Sequence, residues 1–261
     1  MLLYNVLQPS IVSLFSSTSS HPLLLAKRIT SSTTNTDSLI SLVKDDSDAE
    51  ETEIVISFNS HHSQPNQAPR ATLRRDESNT RDTASQVLHL QDPDCRTTSV
   101  RWGFLGRDAE AISRDALGIE LEYLHLQVKN LGHNFYFEVA IQDDRRQVFV
   151  VRCSTFQLSG KVFPPQDDAP TLVHLPIQFP PSSPTLLTSW STITVPLAAL
   201  MSSIPPADGL VPGRLSCVLG VEIHATCRLR RIWFSRDGKE PDEQMVRRGM
   251  MSELALYASG D

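Results

Sequence analysis

The sequence predicts an all-β protein, an antiparallel β-sandwich of jelly-roll type with short helical additions. Three observations lead to this fold class. Apolar and polar residues alternate with period two over residues 119–128 and again over 221–234, which is typical of strands with one buried face. Short polar turns separate these segments, and strands do not alternate with long helical patterns. The length of 261 residues allows one large β domain, and we assign residues 1–261 to it.

The elements before residue 95 are the least regular. Residues 1–36 contain no Asp or Glu and many Ser and Thr, so they fit either an organellar transit peptide or an apolar arm of the domain; the second interpretation is favoured. The acidic run 44–53 indicates a solvated linker, followed by a short strand over 53–58. Residues 59–94 offer little apolar surface. We therefore interpret 31–95 as a low-complexity, disordered insertion within the domain.

The remaining elements follow from alternation and turn residues. Strands are predicted over 99–104, 119–128, 135–141, 148–153, 172–179 and 190–195. The second, third and fourth of these form an antiparallel meander in this interpretation. Pro196 begins a short helix over 196–201, because proline is well tolerated in a first helical turn. Residues 217–225 and 227–234 form a closing hairpin, and the C-terminal extension 235–261 holds a helix.

Composition excludes several classes of function. A net charge of -6 argues against bulk electrostatic binding to nucleic acid. The four cysteines form no Cys-x-x-Cys pair, which favours a reducing compartment and a role in core packing. No apolar run approaches the roughly 18 residues of a membrane helix. Nucleotide-binding and hydrolase motifs are also absent from the sequence, so we expect no enzymatic activity and no cofactor.

A polar pair lies on the first strand of the predicted closing hairpin. Glu222 and His224 stand two residues apart on one strand and therefore project from the same face. They could serve as an acid–base or metal pair, but a metal needs further ligands, and Cys227 stands at an unusual spacing. Hydrogen bonding on a polar outer face is the favoured interpretation, so no metal site is predicted.

Clustered arginines are the most informative charges. Arg228, Arg230, Arg231 and Arg236 crowd one strand of an acidic chain, and Arg152 lies on a predicted neighbouring strand. Guanidinium groups bind carboxylates in a bidentate manner, so these five residues predict a binding surface for a partner rich in Glu and Asp. The alternative is an ordinary solvated face.

The strings VKNLGHNFYFEV and IHATCRLRRIWFS carry a resemblance to the cilia- and flagella-associated protein 20 family. The resemblance implies a non-enzymatic β-sandwich, similar to carbohydrate-binding modules, in the axoneme and basal body. It implies binding to α/β-tubulin of doublet microtubules at the inner junction between A- and B-tubules, in support of ciliary assembly and motility. The implied neighbour is a junction protein related to the parkin co-regulated gene product.

Two alternatives stay open at this point. The first is a carbohydrate-binding module that stacks sugars on Trp190, Trp233 and Tyr123. The second is a diverged paralogue with a nuclear interaction role.

Overall fold

A computed structural model describes residues 7–30, 37–45, 51–57, 86–166, 169–179, 190–204 and 211–238. Within these ranges it contains fourteen strands and two short helices. The strands are β1 (Ile11–Ser16), β2 (Ala26–Thr30), β3 (Leu39–Lys44), β4 (Glu51–Val55), β5 (Gln86–Gln91), β6 (Thr98–Gly103), β7 (Tyr123–Asn130), β8 (Tyr136–Asp143), β9 (Val148–Ser154), β10 (Lys161–Phe163), β11 (Thr171–Pro176), β12 (Trp190–Pro196), β13 (Leu215–His224) and β14 (Cys227–Ser235). The helices are α1 (Ala109–Asp115) and α2 (Leu197–Ser203).

The strands form two mixed sheets. Sheet A has the order β3-β5-β14-β7-β12-β4, and β1 also pairs with β14. Sheet B has the order β10-β11-β9-β8-β13-β6-β2. The predicted all-β class with short helical additions is confirmed. Strand direction needs one correction: β12 pairs with β4, and β9 with β11, in parallel. Alternation along a strand does not depend on the direction of its neighbour, so the sequence could not show this.

Inward side chains of both sheets meet in one continuous core. Sheet A contributes Leu126 and Ile232, and sheet B contributes Phe137 and Val139, all completely buried. Cys153 and Cys227 belong to the same core, and burial raises the pKa of both thiols. The prediction that these cysteines serve in packing fits this placement.

The starts of both helices are explained by local residues. The predicted helix near Pro196 is α2, which begins directly after that residue. Asp108 caps α1 by accepting a hydrogen bond from the backbone N–H of Ala111. This helix and the chain around it cover part of the outer face of sheet B, where Ile112 packs near Leu219.

Sheet membership differs from the prediction in two places. The predicted closing hairpin is wrong, because β13 lies in sheet B and β14 in sheet A. The predicted meander is likewise divided: β7 belongs to sheet A, whereas β8 and β9 form a hairpin in sheet B. The chain crosses between sheets at both points, so consecutive strands face each other across the core.

The region 31–95 also differs from the prediction. It contains β3, β4 and β5, and β5 pairs with both β3 and β14 in sheet A. Val87, Leu88 and Leu90 of β5 are completely buried. Three strands of the predicted insertion are therefore part of the sandwich, and one of them, β4, overlaps the short strand that was predicted over 53–58. The most polar part of that insertion, residues 58–85, and the predicted C-terminal helix lie outside the described residues.

The N-terminal apolar segments contribute to both sheets. β1 pairs with β14 in sheet A, and β2 pairs with β6 in sheet B. Phe15 of β1 packs against Trp102 in the core, with ring centroids 5.4 Å apart. This placement agrees with the favoured interpretation of residues 11–30 as an arm of the domain. Among the described residues, no helix is long and apolar enough to span a membrane.

Candidate partner-binding surface

β14 positions three of the predicted arginines on the outer face of sheet A. Leu229 and Ile232 point into the core. The pairing of β14 with β7 shifts register between Leu229 and Arg231, so Arg230 is an extra residue in a β-bulge. A bulge places two successive side chains opposite one residue of the partner strand. Arg228, Arg230 and Arg231 consequently share one side of the strand, as the sequence predicted.

Arg228 and Arg230 are engaged within the chain. Nη1 of Arg228 lies 3.1 Å from the carboxylate of Asp45, and the Arg228 side chain is 30% exposed. Arg230 lies over the ring of Trp190, 4.2 Å from its centroid. Lys129 approaches the same ring at 5.9 Å and pairs with Asp45 at 3.3 Å. The predicted row of cations is thus partly held by its own sheet.

Asp45 belongs to the acidic run that was predicted to be a solvated linker. Instead, it is buried at the end of β3, where it bridges β7 and β14 through Lys129 and Arg228. A buried carboxylate is favourable only with close cationic partners, and both are present here. The solvated-linker prediction is therefore corrected at this residue.

The other two predicted arginines lie elsewhere. Arg236 follows the end of β14 and is exposed, as is Arg231. Arg152 lies on β9 of sheet B, where its guanidinium pairs with Glu138 at 2.6 Å and lies 5.2 Å from the Tyr136 ring centroid. The five residues do not form one surface. Arg228, Arg230 and Arg231 share the outer face of sheet A, Arg236 follows their strand, and Arg152 belongs to the opposite sheet.

The aromatic residues considered for sugar stacking are mostly buried. Trp190 is 1% exposed and Trp233 is 5% exposed. Trp233 stacks on His125, with centroids 4.9 Å apart, and Tyr123 stacks on the same histidine at 6.5 Å. Burial lowers the pKa of His125 to about 4. The Trp233 ring packs against His125, and the Trp190 ring is covered by Arg230. The two buried tryptophans therefore offer no platform to a sugar.

A second polar site lies on the outer face of sheet B, and the sequence indicated only part of it. Register pairs Glu222 of β13 with Glu138 of β8, and His224 follows on the same face of β13. We call these three residues the carboxylate–histidine cluster. Their ligand atoms lie within 4.8 Å of one another, although Glu138 is distant in the sequence. Only the pairing of β8 with β13 brings this third residue to the pair.

Hydrogen bonds hold both carboxylates of the cluster. Nε of Arg101 donates to Glu222 at 2.7 Å, and the hydroxyl of Ser99 donates to its other oxygen. Nε of Arg152 donates to Glu138 at 2.7 Å. Burial alone would raise the pKa of Glu138, but nearby His224 and Arg152 hold it below its usual value. Guanidinium and hydroxyl donors thus hold both carboxylates of the cluster in place.

The fold and these surfaces define a β-sandwich with a cationic strand on one sheet and a buried polar cluster on the other. Residues 81–247 match the CFA20 domain. Since this match covers more than half of the sequence, the chain belongs to the CFA20 domain family, and the resemblance found in the sequence is confirmed.

Relatives with established names agree with this assignment. The chain is 28% identical over 154 residues to Cilia- and flagella-associated protein 20 of Chlamydomonas reinhardtii, covering 59% of this chain and 67% of the relative. Identity to the Paramecium tetraurelia protein of the same name is 29% over 154 residues, with the same two shares. The Caenorhabditis elegans protein of that name is 27% identical over 141 residues, which are 54% of this chain and 57% of the relative.

Proposed function

We propose that this protein is a non-enzymatic structural component of the cilium or flagellum, located in the axoneme and basal body. The observation that supports this most strongly is membership of the CFA20 domain family, together with relatives named cilia- and flagella-associated. We further propose that it binds α/β-tubulin of doublet microtubules at the inner junction, beside a protein related to the parkin co-regulated gene product, and supports ciliary assembly and motility.

The cationic side of β14 is the proposed contact with tubulin. Arg231 is exposed within this strand and Arg236 is exposed directly after it, about 16 Å away if the backbone is extended. Arg228 is partly exposed and adds a third guanidinium, whose charge Asp45 offsets. An acidic protein surface would pair with these groups and would gain specificity from local geometry, because the net charge of the whole chain is negative.

Co-sedimentation with isolated axonemal doublets, and with taxol-stabilised microtubules, tests this contact. The double variant Arg231→Glu/Arg236→Glu reverses both exposed charges without touching the core. We expect it to pellet at least about tenfold more weakly than the wild-type protein, because each reversal replaces attraction with repulsion. Added salt should weaken wild-type binding for the same reason.

A matched control separates a local contact from a general charge effect. Lys161→Glu/Arg214→Glu makes the same change in net charge at two exposed residues, one in β10 of sheet B and one directly before β13. This control should pellet like the wild-type protein. Equal losses in both double variants would refute the β14 contact, and so would an unchanged Arg231→Glu/Arg236→Glu variant.

Localisation of a tagged copy in a ciliated cell tests the wider proposal. We expect signal along the axoneme and at the basal body. A diffuse cytosolic signal would contradict the ciliary role even if the purified protein bound microtubules.

A further inference from the structure

The carboxylate–histidine cluster has the dimensions of a metal site. Nε2 of His224 lies 3.6 Å from Oε1 of Glu222 and 3.8 Å from Oε2 of Glu138. These distances are too long for hydrogen bonds. They are close to the separation of two ligands around one small cation, because ligands bound at about 2.1 Å in a tetrahedron lie about 3.4 Å apart. A small inward movement of the three side chains would bring their ligand atoms within bonding distance of one ion.

His224 supplies an independent indication of a missing ligand. The residue is only 6% exposed, and neither ring nitrogen has a hydrogen-bond partner among the residues that the structure describes. Buried polar groups almost always form hydrogen bonds, so an imidazole whose Nε2 has only longer contacts, to two carboxylates, calls for an explanation. A neutral imidazole can offer its Nε2 lone pair to a metal ion.

The surrounding side chains resemble the outer shell of a metal centre. Arg101 and Arg152 each bind one oxygen of a carboxylate, on Glu222 and Glu138 respectively, and the other oxygen of each faces His224. Ligating carboxylates are commonly held by such hydrogen bonds, which fix their orientation. The two guanidiniums also reduce the negative charge available to a cation, so we expect weaker binding than at a closed structural site.

From these observations we propose that Glu138, Glu222 and His224 bind a divalent transition metal, with Zn²⁺ as the best match. One imidazole and two carboxylates form a donor set that zinc accepts. The set leaves a fourth position for water or for a group of a binding partner. Calcium and magnesium are disfavoured because they require more oxygen ligands and do not seek imidazole.

Titration of chelator-treated, full-length protein with ZnCl₂ in a calorimeter tests the site. We expect one equivalent to bind to the wild-type protein and binding to His224→Phe to be at least about tenfold weaker. Phenylalanine keeps the aromatic stack on Tyr136, whose ring centroid lies 3.8 Å from that of His224, so this variant should fold. His133→Phe makes the same substitution at an exposed histidine and should bind like the wild-type protein.

X-ray absorption of the zinc-loaded wild-type protein provides a readout that does not depend on any variant. The expected shell contains one imidazole with oxygen ligands and no sulfur. Failure of the wild-type protein to bind zinc would overturn the inference, as would undiminished binding by His224→Phe. A thiolate in the shell would also overturn it by assigning the metal to a cysteine.

Discussion

Removal of the Asp45 carboxylate should destabilise the sandwich far more than its place in an acidic run suggests. Its partner Lys129 has a side chain that is only 6% exposed, and the two charges lie 3.3 Å apart. At an effective dielectric constant of about 20, unit charges at this distance attract by roughly 5 kcal/mol. Asp45→Asn would leave Lys129 buried without this carboxylate.

The expected loss is about 3 kcal/mol of unfolding free energy, at the lower end of the range for broken buried pairs. Two features of the site limit the loss of unfolding free energy. Lys129 keeps the face of the Trp190 ring, and Arg228, with 30% of its side chain exposed, can turn toward water. Water solvates the partly exposed Arg228 once its partner is lost, so the Arg228 contact adds less to the estimate than the Lys129 contact does.

Urea denaturation followed by tryptophan fluorescence measures this loss, because Trp102 and Trp190 are buried in the folded chain. A double-mutant cycle with Lys129→Met isolates the pair. Methionine removes the buried charge and can still pack on Trp190, so the double variant should recover part of the loss. We expect a coupling energy of about 2 kcal/mol.

Asp94→Asn is the matched control. Asp94 pairs with Arg96 at a shorter distance, 2.7 Å, but the arginine side chain is 79% exposed. We expect a much smaller loss there, because water screens the pair and solvates the remaining charge. A loss below about 1 kcal/mol for Asp45→Asn, or additive effects in the cycle, would show that burial does not strengthen this pair.

Two further predictions concern acid sensitivity and backbone geometry. Because the pKa of His125 falls from 6.5 to about 4 in the folded chain, the unfolded chain binds an extra proton as the pH drops through this window, and stability should decrease. The difference in Tm between about pH 7 and about pH 5 should therefore be smaller for His125→Gln; an equal difference would contradict this explanation. Gly103→Ala should cost more unfolding free energy than Gly132→Ala by about 2 kcal/mol or more, since both have positive φ but, of the two, only at Gly103 would a Cβ meet backbone, at the carbonyl oxygen of Leu219. Equal urea midpoints for the two alanine variants would refute the steric argument.

Much of the fold can be predicted from local sequence alone. The alternation in β7 and β8 identifies the strands and the faces they bury, because a strand with one side in the core must repeat with period two. Pro196 marks the start of α2 for an equally local reason. Distinctive strings also carried the family resemblance without reference to coordinates.

The sheet assigned to each strand, in contrast, was decided only by tertiary structure. β13 and β14 look like a hairpin because two residues separate them, yet they lie in opposite sheets. Alternation reports which face is apolar, and it contains no information about the partner strand. The same limit explains β5, whose short apolar stretch predicted too little buried surface for a strand. Its pairing with β3 and β14, which places it inside sheet A, is not visible in the sequence.

Both candidate sites show the same division. The sequence alone shows that Arg228 and Arg230 lie on one side of a strand and that Glu222 and His224 share a face, because positions two apart in a strand point the same way. Arg231 joins the two arginines only through the bulge in the pairing of β14 with β7. Only the tertiary structure could place Asp45 against Arg228 or Glu138 against His224, because these partners are distant in sequence and meet through strand pairing and sheet packing. Charge patterns along a chain identify the charged groups, and burial with specific partners decides their energies.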